Sequence, residues 1–394
     1  MKKGWLLSFG LLMLIAIEIL KVYFIMPFPG SQAANTIDIA YFIHNNIWWM
    51  RLLIFALILF PAIFYLRKGK LWQTIAVIIV VALYGFIFYN FNFKFLADKM
   101  FYQPRITAFT NDTTHNLNKL IIGVLINGES KAYPVEIIGY HHQVLDTVGG
   151  EPIMVTYCTV CRTGRVYSPV VNGKYEKFRL VGMDHFNAMF EDATTKSWWR
   201  QATGVAIAGK LKGTQLKEII SAQMSLEDWL KLHPNSVTLL PDSNFTRRYD
   251  NLKGFDEGTI NSSLEKRDSA SWKFKSWVVG VKVNNAAKAY DWNMLQHQKL
   301  IQDSIDGVPL LLSADTNAKD FFVLNRKING QSLSFTYDAP TALLHDQQTN
   351  STWQISGLCI DGPSKGNQLE KIQSYQEFWH SWQSFHPETE MYKP

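Results

Sequence analysis

Two cysteines three positions apart are the most reactive feature of the sequence. Cys158 and Cys161 follow an apolar run, Pro152–Tyr157, whose composition predicts a short β-strand. Two thiols with this spacing at a strand end can face one point. Such a pair suits a soft metal ion or a reversible disulfide. The sequence therefore predicts a Cys-x-x-Cys site whose chemistry depends on the side chains that join it.

A metal site needs more than two ligands in most of its common forms. The candidates in the same part of the chain are three imidazoles with two carboxylates behind them: His141, His142, His185, Glu191 and Asp184. Two cysteines with two histidines suit structural zinc, and two cysteines with one histidine and an open position suit catalytic zinc or copper. We therefore expect copper or zinc on Cys158, Cys161 and His141, with His185 and Glu191 as further ligands.

A second polar stretch, Ser197–Gln201, flanks the same region. Arg200 and Gln201 are candidates for a polar lining and, with the two cysteines, for catalysis. The alternative is structural: Trp198 and Trp199 belong to a core and Arg200 is a solvated strand residue.

Two other functions stay open beside metal binding. One is a thiol–disulfide oxidoreductase that uses Cys158 and Cys161, for which the charge of Arg162 would lower a thiolate pKa. The pair does not open a helix in a βαβ unit, which is the setting of thioredoxin-type sites. The other is a non-catalytic binding module with an aromatic-rich surface, in which the cysteines pack as small hydrophobic residues. Cys359 has no cysteine neighbour, and we expect it to be buried and unpaired.

Three apolar runs are each long enough to cross a bilayer, which takes about 20 residues. They are Trp5–Met26, Ile47–Leu66 and Leu71–Phe91, a predicted anchor within residues 1–91. Lys2, Lys3 and the basic link at 67–70 indicate a cytoplasmic N-terminus, with everything after the anchor outside a bacterial cytoplasmic membrane. Cleavage of the first run as a signal peptide would leave this topology unchanged. Glu18, in the first run, is a charge inside the membrane and therefore a candidate functional residue. The alternative, which we favour, is a local pair with Lys21, whose side chain extends to the interface. We expect Arg51, in the second run, to extend to the interface as well.

The location of the charge excludes one class of partner. The chain has 394 residues and a formal charge of +6, with 39 basic and 33 acidic residues. Seven basic and two acidic residues lie in the first 91 positions, so the remainder is almost neutral. We therefore expect a lipid bilayer as partner and no nucleic acid, with any small-molecule or protein partner unidentified.

Much of the chain after the anchor resembles itself. Residues from about 121 recur from about 278: the pairs include Gly123 with Gly280 and Tyr133 with Tyr290, 157 positions apart. The offset narrows to 153 where Trp229 meets Trp382. The pattern predicts an α+β, β-rich fold of two tandem homologous modules with mostly antiparallel strands and short helices. Their predicted boundaries are 92–245 and 265–394, with a linker at 246–264.

The repeat separates shared residues from residues found once. Cys158 and Cys161 are replaced by Asp315 and Ala318, while Asp146 is kept as Asp303. In the same way His141, Arg200 and Gln201 have no counterpart of their type, and His185 falls opposite an alanine. This contrast places the polar site in the first module and makes the second a degenerate repeat.

Three stretches together resemble a known bacterial family, domain of unknown function 3179. They are Tyr140–Gly150, Val155–Cys161 and Ser197–Gly209, and the likeness is close over about 119–250. The family pattern matches His141, the two cysteines and the stretch Trp199-x-Gln201-x-x-Gly204. Here Arg162 stands where the family commonly has Gly, and Leu145 where it has Asn. The resemblance implies membership, and it implies no particular reaction.

Overall fold

The computed structural model describes residues 2–112, 116–317 and 319–394. They form two compact units, each assembled from separate parts of the chain. The first unit is Met1–Tyr102 with Lys174–Gln215, and the second is Gln103–Gly173 with Leu216–Pro394. These units cut across the predicted modules, so the module boundaries and the duplication stay predictions.

The first unit begins with three helices, Lys2–Tyr23, Ile37–Lys68 and Leu71–Tyr89. Each is long and apolar enough to span a membrane, as the sequence predicts. The first two pack closely at Gly10, where a Cβ atom would lie 2.1 Å from Ile58 Cγ2. A π-helical turn, Asn90–Lys94, and a short helix, Ala97–Met100, follow the third.

The second helix starts at Ile37, ten residues before the predicted start at Ile47. Its added turns contain polar residues, which hydropathy alone places outside a span. They are held by packing within the unit: the rings of Tyr41 and His44 meet the Trp198 indole edge-on, with centroids 5.1 and 5.4 Å apart. A tertiary contact therefore extends the helix beyond its apolar stretch.

The charges inside the helices pair differently from the sequence prediction. Glu18 is fully buried and accepts hydrogen bonds from Arg51 Nε and a terminal guanidinium nitrogen, each 2.6 Å long. Lys21 instead donates to Asn92 Oδ1 at 2.7 Å, and Asn92 Nδ2 donates to Glu18 at 2.9 Å. The predicted Glu18–Lys21 pair and the extension of Arg51 to the interface are both wrong. A buried carboxylate takes the guanidinium across the helix interface because two nitrogens of that one group donate to its two oxygens.

A four-stranded antiparallel sheet completes the first unit. Its strands, in chain order, are Phe178–Asp184, Asn187–Asp192, Trp198–Arg200 and Ala206–Ala208. A separate short strand, Lys174–Tyr175, precedes them in the chain. The sheet contacts the chain just after the first helix: Met183 N donates to Ile25 O at 2.8 Å, and Phe186 N donates to Gln32 Oε1 at 3.1 Å. At Gly182 a Cβ atom would lie 2.2 Å from Ile25 O, so this approach requires glycine.

The second unit is built of small sheets with short helices. One five-stranded sheet has the spatial order Phe109–Thr110, Val237–Leu239, Glu129–Pro134, Leu120–Ile126, Ser221–Ser225. A three-stranded sheet follows it with Gln143–Val148, Glu151–Cys158 and Thr163–Tyr167, and Val170–Val171 is a further short strand. The helices of this part are Val135–His141 and Leu226–Leu232, and Ser225 caps the latter by accepting from Asp228 N.

The later part of the second unit is also built of small sheets and short helices. One four-stranded sheet contains Ser374–Phe378, Trp277–Val283, Ala286–Asp291 and Glu390–Met391. A second contains Leu300–Ile305, Val308–Ala314, Phe321–Asn325 and Glu370–Lys371. A third contains Phe335–Asp338, Leu343–Asp346, Thr352–Gln354 and Cys359–Asp361. The short pair Lys327–Ile328 and Gln331–Ser332 and the helices Trp292–Gln298 and Trp379–Phe385 complete it. The predicted β-rich class with mostly antiparallel strands is confirmed.

Equivalent hydrogen bonds occur in both parts of the second unit. Asp146 accepts from Lys131 at 3.1 Å and from Tyr133 OH at 2.6 Å. Asp303 accepts from the corresponding Lys288 and Tyr290 at 3.0 and 2.9 Å. The two parts share a core, because one buried cluster joins residues such as Ile121 and Trp229 to Leu311 and Trp353.

The predicted linker is packed into the second unit. It holds the short helices Thr246–Tyr249 and Asp250–Leu252, preceded by Ser243–Phe245. Phe255 is buried, and Asp256 accepts from Leu120 N at 2.9 Å. These residues therefore contribute to the core beside the cysteines.

Candidate dithiol site

Cys158 ends a strand, and Cys161 lies in the tight turn that connects it to the next strand. Cys158 ends the strand Glu151–Cys158 and lies opposite Thr163, the first residue of the next strand. Arg162 adopts a left-handed conformation, with φ 54°, which closes the turn. Both cysteines are fully buried thiols, and they hydrogen-bond each other. The predicted convergence of two sulfurs at a strand end is thus observed.

The C-terminal part of the chain covers this turn. Phe378 N donates to Cys161 O at 3.0 Å, and an imidazole nitrogen of His380 lies 3.3 Å from Val160 O. The Ser381 hydroxyl hydrogen-bonds the Cys161 thiol and lies 3.2 Å from Thr163 Oγ1. We call Cys158, Cys161 and Thr163, with Glu377 and Ser381, the dithiol junction.

A buried ion pair borders the dithiol junction. Glu377 binds the guanidinium of Arg165 through one carboxylate oxygen. Its other oxygen accepts from Ser381 Oγ at 2.9 Å and from Thr163 Oγ1 at 3.2 Å. Burial, the hydrogen bond from Cys158 and the nearby charges raise the pKa of the Cys161 thiol. Cys161 is therefore a protonated thiol at neutral pH.

The cation that acts on both sulfurs is Lys275. Its ammonium donates to Val160 O at 3.4 Å and to Leu264 O. Burial lowers the pKa of Lys275, while attraction to thiolates at Cys161 and Cys158 opposes that shift. Its charge would stabilise negative sulfur.

Arg162, the residue that replaces the family's glycine, points elsewhere. Its guanidinium donates to Gln376 Oε1 at 2.9 Å and to Phe255 O at 3.0 Å, and lies 3.8 Å from the centre of a Trp277 ring. Arg162 thus joins the turn to the packed linker and to the later part of the chain. The structure assigns the thiolate-stabilising charge to Lys275 instead.

The two neighbouring histidines have other partners. The Nε2 atom of His141 lies 2.8 Å from Tyr249 OH, and its ring packs edge-on against Phe245. The Nδ1 atom of His142 lies 2.9 Å from Tyr157 O. Burial lowers the pKa of His142 to about 4, so this imidazole is neutral at pH 7. Hydrogen bonds to Tyr249 and Tyr157 therefore engage one ring nitrogen of each histidine.

The remaining predicted residues belong to the first unit, where they form their own network. The carboxylate of Asp184 lies 2.6 Å from His185 Nδ1 and accepts from Arg200 Nε at 2.7 Å. Burial raises the pKa of Asp184, but these two partners outweigh it and the net shift is downward. Gln201 Oε1 accepts from Asn187 Nδ2 at 2.8 Å.

Glu191, the remaining predicted ligand, is engaged in the same unit. Its carboxylate accepts from Arg179 Nε at 2.9 Å and from Trp198 Nε1 at 3.1 Å. Glu191 therefore has two partners that hold its oxygens.

A second group of side chains in this unit contains aspartates, and one of them, Asp315, is the residue predicted opposite Cys158. Carboxylate oxygens of Asp228, Asp315 and Asp320 lie within 4.8 Å of one another. In residues 2–112, 116–317 and 319–394 this is the only group of three or more His, Cys, Asp or Glu side chains that meets this distance. Ser225 N and Oγ donate to Asp320 at 2.5 and 2.9 Å. We call these four residues the acidic junction; Ala318, predicted opposite Cys161, lies outside the described residues.

Sequence reasoning missed Glu377, Ser381 and Lys275. At the offset of 153, Glu377 corresponds to Met224 and Ser381 to Asp228. The two repeats therefore have different residues at both positions. Glu377 has no acidic counterpart in the first repeat, so the contrast between the repeats also points to it.

The comparisons with known proteins give one match. The sequence model of a family described as "Protein of unknown function (DUF3179)" matches residues 101–389. No curated protein matches the chain, and no solved structure matches it.

Proposed function

Because the chain belongs to the DUF3179 family, whose function is unknown, we propose a function from the site itself: the Cys158–Cys161 pair binds a soft transition-metal ion, copper(I). The observation that carries the proposal is the hydrogen bond between two fully buried thiols. Thiolate sulfur is the ligand that copper(I) prefers. Two sulfurs are enough for a two-coordinate copper(I) ion.

Zinc, the other metal expected from the sequence, fits less well. It usually takes four ligands, so it would need two beyond the cysteines. Among the described residues, no His, Asp or Glu ligand atom forms a group with the two sulfurs in which all atoms lie within 4.8 Å of one another. His185 and Glu191 are held by Asp184 and by Arg179 in the first unit.

The residues around the pair have definite tasks in this proposal. Binding releases the two thiol protons and leaves two thiolates with one monovalent cation, a net charge of −1. The Lys275 ammonium balances that charge. Ser381 hydrogen-bonds the Cys161 sulfur, and its own hydroxyl is oriented by Glu377. The protein would hold or hand over the ion without water in the site.

A thiol–disulfide oxidoreductase is the second candidate. The direct contact of the two thiols favours it, because an S–S bond can form with little movement of the turn. The raised pKa of the Cys161 thiol weakens it, because the thiolate is the attacking species in exchange.

The setting of the site is also part of the proposal. The basic residues Lys3 and Arg67, Lys68 and Lys70 favour a cytoplasmic N-terminus and an extracytoplasmic domain in a bacterial inner membrane. The matching hydrogen bonds of Asp146 and Asp303 support a tandem duplication of the domain. Reporter fusions on either side of the 67–70 link test the topology.

Metal loading of the full chain in detergent tests the function. The purified protein is loaded with copper(I) anaerobically, and bound copper is measured by elemental analysis. We expect about one copper per chain and Cu–S scattering in X-ray absorption. Cys158→Ser and Cys161→Ser should lose the ion, while Cys359→Ser, a buried free cysteine elsewhere, should keep it.

The same protein separates the alternatives. Copper that remains after both Cys158 and Cys161 are replaced contradicts the proposal. A protein that binds no copper but forms a disulfide with a defined reduction potential, lost in Cys158→Ser, is an oxidoreductase.

A further inference from the structure

A groove in the second unit lies away from the dithiol junction and has no assigned role. It encloses about 640 Å³, within the range of roughly 300–1,000 Å³ typical of small-molecule sites. Trp229 and Phe322 line it together with His233, Gln368 and Lys371. At the groove are three exposed apolar side chains, Leu125, Ile220 and Leu232, with 49%, 64% and 40% of their surfaces exposed.

The floor of this groove is built twice in the molecule. A Cβ atom on Gly123 would lie 2.4 Å from Trp229 Cε3, and one on Gly280 would lie 2.2 Å from Trp382 Cε3. Each indole thus lies flat on a glycine of a central strand. Each also packs against a histidine ring one helical turn later, at 4.1 Å for His233 and 3.8 Å for His386.

The strand beside each glycine carries different residues. Tyr375 is paired with Gly280, whereas Ala222 is paired with Gly123. The Tyr375 ring lies beside Trp382, with centroids 6.4 Å apart, at the edge of that indole. Beside Trp229 the corresponding residue, Ala222, has no ring, and both residues line the groove. The groove is therefore the place of a missing tyrosine side chain.

The surroundings of Tyr375 show what the open groove would accept. The guanidinium of Arg165 lies 3.3 Å from the centre of its ring, and its hydroxyl donates to Glu218 Oε1 at 2.6 Å. At the groove, Phe322 takes the position that Arg165 has beside Tyr375. Phe322 is paired with Ser313, just as Arg165 is paired with the corresponding Thr156.

The charged residue near the groove has the opposite sign to the one that binds the Tyr375 hydroxyl. Lys371 pairs with Leu324 where Glu218 pairs with Tyr167, so a cation replaces the carboxylate. A hydroxyl that donates suits Glu218, and a negatively charged oxygen suits Lys371.

We propose that the groove binds a small aromatic carboxylate, with its ring between Trp229 and Phe322 and its carboxylate on Lys371. The Lys371 ammonium lies 6.0 Å from the Phe322 ring centre, so it stands at the edge of the ring site. Within the described part of the chain it has no carboxylate partner. Glu370 also lines the groove, and its carboxylate accepts from Asn325 Nδ2 at 3.2 Å. The site is independent of metal binding at the cysteines.

Binding of phenylacetate to the full chain in lipid nanodiscs tests the proposal, with benzyl alcohol as the uncharged probe. Lys371→Met should weaken phenylacetate binding about tenfold or more and leave benzyl alcohol within about twofold. Ala222→Tyr, which copies the filled position, should abolish binding of both probes. Ala222→Ser keeps the groove open and should bind as the native chain does.

Three results would overturn this assignment: no phenylacetate binding to the native chain, unchanged binding in Ala222→Tyr, or equal losses for both probes in Lys371→Met. If Ala222→Tyr does not fold, the exposed Lys371 position decides alone, because its substitution leaves the core intact. Cys158→Ser should bind phenylacetate normally, which separates this site from the dithiol junction.

Discussion

The dithiol junction and the acidic junction occupy corresponding places and hold opposite chemistry. In each, a loop after a buried strand meets the start of a short helix from the other part of the second unit. Phe378 N donates to the loop at Cys161 O, and Ser225 N donates to the loop at Asp320. Cys158 is fully buried, while the corresponding Asp315 is partly exposed.

The difference shows how one framework supports two kinds of site. At the dithiol junction the charges form a buried pair, Arg165 with Glu377, and the Cys161 thiol stays protonated. At the acidic junction the positions of that pair hold Phe322 and Met224, and charge is concentrated on the aspartates instead. Burial therefore favours thiols at the dithiol junction, whereas two of the three carboxylates of the acidic junction, those of Asp228 and Asp315, are partly exposed.

The largest effect is expected at the buried ion pair. Glu377→Met, which copies the other junction, leaves the Arg165 guanidinium buried without its carboxylate. Loss of one partner of such a pair costs about 3–5 kcal/mol of unfolding free energy. Chemical denaturation of the full chain, followed by tryptophan fluorescence, measures it.

The matched control replaces both charges. Arg165→Phe combined with Glu377→Met reproduces the residues of the acidic junction and should recover most of the loss, because a well-packed apolar pair avoids the desolvation cost. A double variant as unstable as the single one would show that the two junctions are not interchangeable in packing.

The sequence predicted these sites unevenly. The apolar runs and the strand that ends at Cys158 are local patterns, and each was found. The start of the second helix at Ile37 depends on contact with Trp198, and hydropathy does not predict that contact. Glu377 and Ser381 reach Thr163 across 214 and 218 positions. Hydrophobic periodicity does not predict contacts between residues so far apart in the sequence. Only the comparison of the two repeats could have suggested Glu377 and Ser381.

A smaller effect is expected from the cation beside the sulfurs. Lys275→Met removes the charge that would balance two metal-bound thiolates, so copper(I) affinity should fall about tenfold. Competition with a chromogenic copper(I) chelator measures the affinity. Lys273→Met, an exposed lysine two positions away, is the control and should leave the affinity unchanged. Equal affinity in both variants would remove Lys275 from the site.

The smallest effect is a pH dependence confined to the acidic junction. Burial and the neighbouring Asp228 raise the pKa of Asp320 to about 7 from the model-compound value of 3.8. Between these two values the folded chain holds a proton that the unfolded chain has lost, so stability falls as pH rises from about 4 to 7, by at most about 1.4 kcal/mol per pH unit. Asp320→Asn has no such proton, so the stability of this variant relative to the native chain should rise with pH across that window. Denaturation at pH 4.5, 5.5 and 6.5 measures the slope. A difference that stays constant with pH, or that changes in the opposite direction, would mean that the aspartates are ionised in the folded protein and that the acidic junction is held by its hydrogen bonds to Ser225 alone.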